Sequence, residues 1–162
     1  MRVTTADVTG IVGLVNFLGC FLGIYILSRV GRKELMLKAN FLMTSLLFIM
    51  GSAQLKNNTA LSLICLALFL VCFECSSGPV TWLYMAEILQ DKSFSIATVL
   101  NWVIKIIISF AIPMVLKVIG TENVGYIFLS TGILTFLSTL FIFFYMKETK
   151  GLSRNEIDKM YN

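Results

Sequence analysis

Phe73-Glu74-Cys75-Ser76-Ser77-Gly78-Pro79-Val80-Thr81-Trp82-Leu83-Tyr84-Met85-Ala86-Glu87 is the stretch whose reading decides the fold. It lies inside an apolar run that begins at Leu61. A helix that only anchors a protein in lipid needs little beyond Leu, Ile and Val. This one carries an acid, then small residues and a Gly-Pro break, then a tryptophan. Gly and Pro interrupt the helical ladder, and a bilayer tolerates them where neighbouring helices or a wet cavity satisfy the freed backbone groups. A carboxylate in a span costs roughly 2.5–3.5 kcal/mol on insertion scales, so it marks a functional position by default. A broken helix with a buried acid is the pattern of a binding site near the bilayer midplane.

The rest of the chain agrees with a lipid solvent. Its 162 residues are 57% hydrophobic and 14% charged, against about 45–50% and about 25% in soluble domains. A soluble fold of this length has no room to hide so much apolar surface. The net charge of +4 is small and scattered between apolar runs, which argues against nucleic-acid binding. There is no His, no paired-carboxylate arrangement and no Gly-rich phosphate loop. No catalytic residue, metal site or cofactor is therefore expected, and no enzyme activity. No basic-then-apolar leader with a cleavage site opens the chain, so no removable signal peptide is expected. Cys20, Cys65, Cys72 and Cys75 all fall in apolar runs. Despite the Cys72-x-x-Cys75 spacing they read as small packing residues.

Five apolar runs are expected to be helices: 8–26, 39–54, 61–86, 95–116 and 124–145. About 20 residues cross the ~30 Å hydrocarbon core. The expected fold is an all-α polytopic membrane protein, with a transmembrane bundle over 1–146 and a soluble tail over 147–162. In the first run Gly13, Asn16, Cys20 and Gly23 share one face, and Gly19-x-x-x-Gly23 is a close-packing pair. Asn16 reads equally as packing glue or as a cavity-facing group. A basic turn, Ser28-Arg29-Val30-Gly31-Arg32-Lys33-Glu34, leads to a second run with few polar residues, read as a lipid-facing support helix. In the fourth run Asn101, Lys105 and Ser109 recur every four residues and form a polar stripe. Lys105 either snorkels along its stem to a watery space or pairs with Glu74. The fifth run has little chemistry, and its Gly125 and Gly132 read as ordinary for a span.

Basic loop residues orient the bundle. Arg29, Arg32, Lys33, Lys38, Lys92, Lys147, Lys150, Arg154 and Lys159 fall on one side, and Arg2, Lys56 and Lys117 on the other. The amino end is expected outside and the carboxyl end in the cytoplasm.

Three motifs then line up in order. They are Gly31-Arg32-Lys33; Gly78-Pro79-Val80-Thr81-Trp82 with Ala86-Glu87-Ile88 and Asn101-Trp102; and Glu148-Thr149-Lys150-Gly151 with Glu156-Ile157. On these the chain resembles the carboxyl-terminal half of a sugar porter of the major facilitator superfamily, spans eight to twelve of twelve. The resemblance implies alternating-access transport of a hexose-like sugar, with the plasma membrane as the default location. It implies that Asn16, Glu74, Gly78, Trp82, Asn101 and Trp102 bind substrate, and that Arg32 and Glu87 belong to a cytoplasmic charge network that shuts the inner side. The implied partners are the sugar, the lipid bilayer, protons where the mode is symport, and the missing amino-terminal half or a full-length transporter. The alternative is a non-transporting interaction or assembly protein derived from a transporter half. Some positions depart from the family pattern. Ser28 stands where an acid is usual, Gln90-Asp91-Lys92 replace the expected Pro and Arg, and Lys147 replaces a proline. Lys105 puts a cation where a neutral polar residue is usual.

Overall fold

The computed structural model describes residues 5–161, the side chains at 5–9, 11, 12, 14–16, 18, 20 and 121 excepted. The described residues form seven α-helices: α1 (Thr5–Arg29), α2 (Arg32–Leu55), α3 (Thr59–Cys75), α4 (Ser77–Ile88), α5 (Asp91–Ile119), α6 (Val124–Tyr145) and α7 (Arg154–Tyr161). Among the described residues, four stretches are long and apolar enough to cross a bilayer: 32–55, 59–88, 91–119 and 124–145. The helices run past the expected apolar runs, most of all α2, which begins seven residues before Ala39, at Arg32.

Local chemistry sets the ends. Asn58 caps α3 by accepting the Leu61 N–H at 3.2 Å, after a turn in which Asn57 takes a left-handed φ of 56°, a conformation Asn tolerates better than most residues. Gly120, with φ 84°, closes α5. Pro79 is the third residue of α4, where the missing N–H has no helical partner to lose. The break therefore falls not at Gly78-Pro79 but just ahead of it, at Ser76, whose φ and ψ are −138° and −86°. Val80 then donates to the Ser76 carbonyl at 2.9 Å and restarts the ladder.

α2 is the hub, which corrects its reading as a lipid-facing support helix. It packs on α6 along its length and on α3, and buries Leu35, Asn40, Met43, Thr44, Leu46, Leu47, Met50, Gly51 and Ala53. The sequence hides this because α2 is apolar nearly all round, so no stripe marks a buried face. Small residues make the seam. A side chain at Gly125 would strike the Gly51 carbonyl at 2.7 Å, and one at Gly51 the Leu129 side chain at 2.8 Å. Close backbone approach through glycine is how helices pack where lipid offers no hydrophobic drive. Gly125 is therefore more than an ordinary span residue. Gly19 and Gly23 do the same for α1 on α3, meeting Glu74 Cβ at 3.0 Å and the Glu74 carbonyl at 3.0 Å.

Two clusters fill the interior. Leu46, Leu47, Met50 and Cys65 form one, and Leu35, Val80, Ile142 and Met146 the other. Val80 is fully buried where α4 meets them. α5 differs from every other long helix: it buries no residue and makes only sparse contact with the other helices.

Candidate functional site

Arg32 and Glu87 meet at one place along the bundle, and Trp82, Asn101 and Trp102 at another. The first is the end that carries the basic loops. Here the Arg32 guanidinium donates to Glu87 Oε1 from Nη2 at 2.9 Å and from Nε at 3.2 Å. Both side chains are about four-fifths covered, with exposures of 18% and 19%. The Thr149 hydroxyl donates to the other carboxylate oxygen of Glu87 at 2.5 Å. Such charge-assisted bonds contribute about 1.5–3 kcal/mol each.

Glu148 sits beside this pair and was not among the residues expected there. Gly31, the residue before α2, has no side chain to cap the helix. The Glu148 carboxylate does so instead, accepting the Arg32 N–H at 2.8 Å and the Lys33 N–H at 3.0 Å. It also accepts from the Thr149 and Lys150 N–H groups at 3.1 and 3.0 Å. A methyl group at Gly31 would overlap this carboxylate. Burial pushes the Glu148 pKa up, but backbone N–H donors from Lys150, Arg32, Lys33 and Glu34 outweigh it and hold the carboxyl below its ordinary value. A carboxylate at a helix N-terminus also complements the helix dipole. The sequence carries no local signal for it, since the carboxylate and the N–H groups it accepts from on α2 lie 116 and 115 positions apart.

The tail continues the join. Lys150 donates to the Arg29 carbonyl at 2.7 Å and Arg154 to the Leu89 carbonyl at 2.8 Å. At the start of α7 the Ser153 N–H and hydroxyl both donate to Glu156 Oε2 at 2.7 Å, the half of a capping box in which the acid reaches back to the residue before the helix. Tyr84 and Tyr161 share a hydroxyl–hydroxyl hydrogen bond.

The second place is the face shared by α4 and α5. Trp82, half-buried, and Trp102, 56% exposed, are joined by Lys105. Its ammonium lies 4.7 Å from the Trp102 ring centroid and 5.8 Å from that of Trp82. Asn101 stands one turn before Lys105, with its Oδ1 buried and without a hydrogen-bond partner among the described residues. Lys105 makes no ion pair with Glu74; among the described residues the pairs within 4 Å are Arg32–Glu87 and Glu34–Lys38. The reason is placement. Glu74 is on the part of α3 that packs on α1, beside Gly19 and Gly23, and α5 does not pack there.

Gly78 abuts the Phe73 carbonyl, which a Cβ would meet at 3.3 Å. The Asn16 side chain lies outside the described residues. Cys65 and Cys72 are free thiols, and Cys75 Sγ donates to the Gly19 carbonyl at 3.4 Å, which suits packing residues. Ser77 donates to buried Asn40 Oδ1 at 3.1 Å, a tie between α4 and α2 that sequence reading missed because Asn40 sits alone in an apolar run.

Comparison with known proteins gives this geometry a setting. A family model described as "Sugar (and other) transporter" matches residues 2–161. The chain belongs to the sugar transporter family. It is 32% identical to the facilitated trehalose transporter Tret1 of Drosophila willistoni and 31% identical to that of Drosophila grimshawi, in each case over 93% of its own length. It spans 18% and 17% of those two relatives. Among solved structures it is similar to the proton:xylose symporter XylE bound to 6-bromo-6-deoxy-D-glucose, with a TM-score of 0.87 and 26% identity over 95% of this chain and 34% of XylE. The inward-open conformation of XylE from E. coli matches with a TM-score of 0.83 over 93% of this chain and 34% of that one, again at 26% identity. The chain is thus a multi-pass membrane protein of the major facilitator type, and its relatives are transporters, not enzymes.

Proposed function

We propose that this chain is the carboxyl-terminal part of a membrane sugar transporter, working by alternating access against an amino-terminal body. The observation that carries the reading is the likeness of the helix bundle to XylE with a glucose analogue bound, at a TM-score of 0.87. The bundle also matches the inward-open form at 0.83. α1 supplies the fifth crossing. The orientation follows the basic residues, with the amino end outside and the carboxyl end in the cytoplasm of a plasma-membrane protein.

The site residues suit a hexose-like sugar. Asn16, Glu74 and Asn101 offer amide and carboxylate partners to its hydroxyls, and the indoles of Trp82 and Trp102 pack on its apolar ring face. Gly78 leaves room beside the helix break. Transport needs two such bodies around one site, so on either body alone the site is an open face. An apolar pocket of about 330 Å³ between α2, α4, α6 and α7 is lined by none of these residues. At the basic end Arg32 and Glu87 close the inner side, with Glu148 and Thr149 holding them in register. Breaking such ion pairs is a natural step between two states.

Uptake by cells tests this reading. The chain is co-expressed with the amino-terminal part of a Drosophila trehalose transporter, and accumulation of labelled trehalose and glucose is measured. Uptake is expected with both parts and not with this chain alone, and Trp82→Ala and Asn101→Ala should each lower it at least tenfold with normal membrane insertion. Full uptake in both variants would remove these residues from the site. Association with the partner without any uptake would favour the interaction-protein reading.

A further inference from the structure

We propose that Lys105 determines sugar affinity by competing with the substrate for the face of Trp82. The inference rests on the reading of Trp82 and Trp102 as sugar-facing, and names what regulates that face. The ammonium lies over both indoles, 4.7 Å from one centroid and 5.8 Å from the other. An indole face attracts a cation by its quadrupole, and it also packs the C–H face of a sugar ring. Both guests need the same surface of Trp82, so one excludes the other.

Two further observations support the competition. Lys105 has no carboxylate within 4 Å among the described residues, so the rings are its described partners and nothing else fixes it. The buried Asn101 Oδ1, one turn back on α5, has no donor. Although it lies at i−4 spacing, it does not hold the ammonium, which leaves the rings as the lysine's partners and the amide for the sugar's hydroxyls. The contact also spans two helices. α5 buries no residue and touches the other helices only sparsely, so the Lys105–Trp82 contact is a tie between α4 and α5 that sugar binding releases. Occupancy of the site and the position of α5 are then coupled.

The test uses the chain assembled with the amino-terminal part of a Drosophila trehalose transporter in lipid nanodiscs, as wild type, Lys105→Met and Lys105→Arg, with equal helicity as the check on folding. Trehalose, glucose and xylose are titrated while tryptophan emission is followed. Before sugar is added, Lys105→Met should shift the emission and Lys105→Arg should not. Lys105→Met should then bind sugar roughly two- to fivefold more tightly than wild type, the factor that an exposed cation–π contact represents, while Lys105→Arg stays near wild type. Amine labelling of Lys105 should rise with sugar. Equal or weaker binding by Lys105→Met, with sugar bound normally by wild type, overturns the competition and leaves the sugar site standing. Absence of binding by all three forms overturns both.

Discussion

Glu148 holds four backbone N–H donors with one carboxylate, and this makes a pH dependence legible at the residue scale. Its pKa is lowered in the fold from an ordinary 4.5. Its stabilisation is therefore present above that ordinary value and is lost as pH falls through the depressed one. Glu148→Gln should cost about 1 kcal/mol at neutral pH, the usual worth of a helix cap. Thermal unfolding in detergent at stepped pH checks this: the gap between wild type and variant should close as pH drops below 4.5. A gap constant down to acid pH would mean the capping charge contributes nothing. Thr149 acts on the same assembly through Glu87, so its loss should couple non-additively with that of Arg32.

At the scale of elements, glycine sets how closely α2 and α6 approach. Gly125→Leu must push the Gly51 backbone aside and should destabilise the bundle by about 1–3 kcal/mol, as overpacking generally does. Gly132→Ala is the contrast. A Cβ there meets the Leu47 and Phe48 side chains at 3.4 Å, and the change should be nearly neutral. Melting temperatures of the two variants in one detergent decide it. The same scale shows where sequence reading stopped. The broken helix and the tryptophan pair announce themselves, because a proline or an indole in an apolar run is conspicuous, whereas Arg32 and Glu87 are legible only through the family resemblance. The central place of α2 does not, since apolar residues facing lipid and apolar residues facing α6 look alike. Nor does the cap by Glu148, which joins positions 116 apart. The break itself lies two residues earlier than Gly78-Pro79 suggests, because proline is accommodated inside a first helical turn and pushes the irregular residue upstream.

For the whole molecule, stability is uneven. α2 is sheathed by α3 and α6, whereas the rest of the chain buries no residue of α5. Local opening follows packing. In nanodiscs, amide hydrogen exchange should therefore be slowest in α2 and α6 and fastest among the long helices in α5. Co-expression with the amino-terminal transporter part should slow α5 most. Uniform protection across the five long stretches would contradict the described packing.

The cap on α2 also bears on how the chain is made. A ribosome releases Arg32 long before Glu148, so the nascent α2 enters the membrane with the N–H groups of its first turn unmatched by the tail. The Arg32–Glu87 contact can form earlier, but the carboxylate that finishes the turn is translated 116 positions after the helix it caps. Maturation of α2 thus waits on a segment made much later. A stop codon a few residues before Glu148 would leave every apolar stretch intact and still yield a protein whose second helix never receives its closing partner.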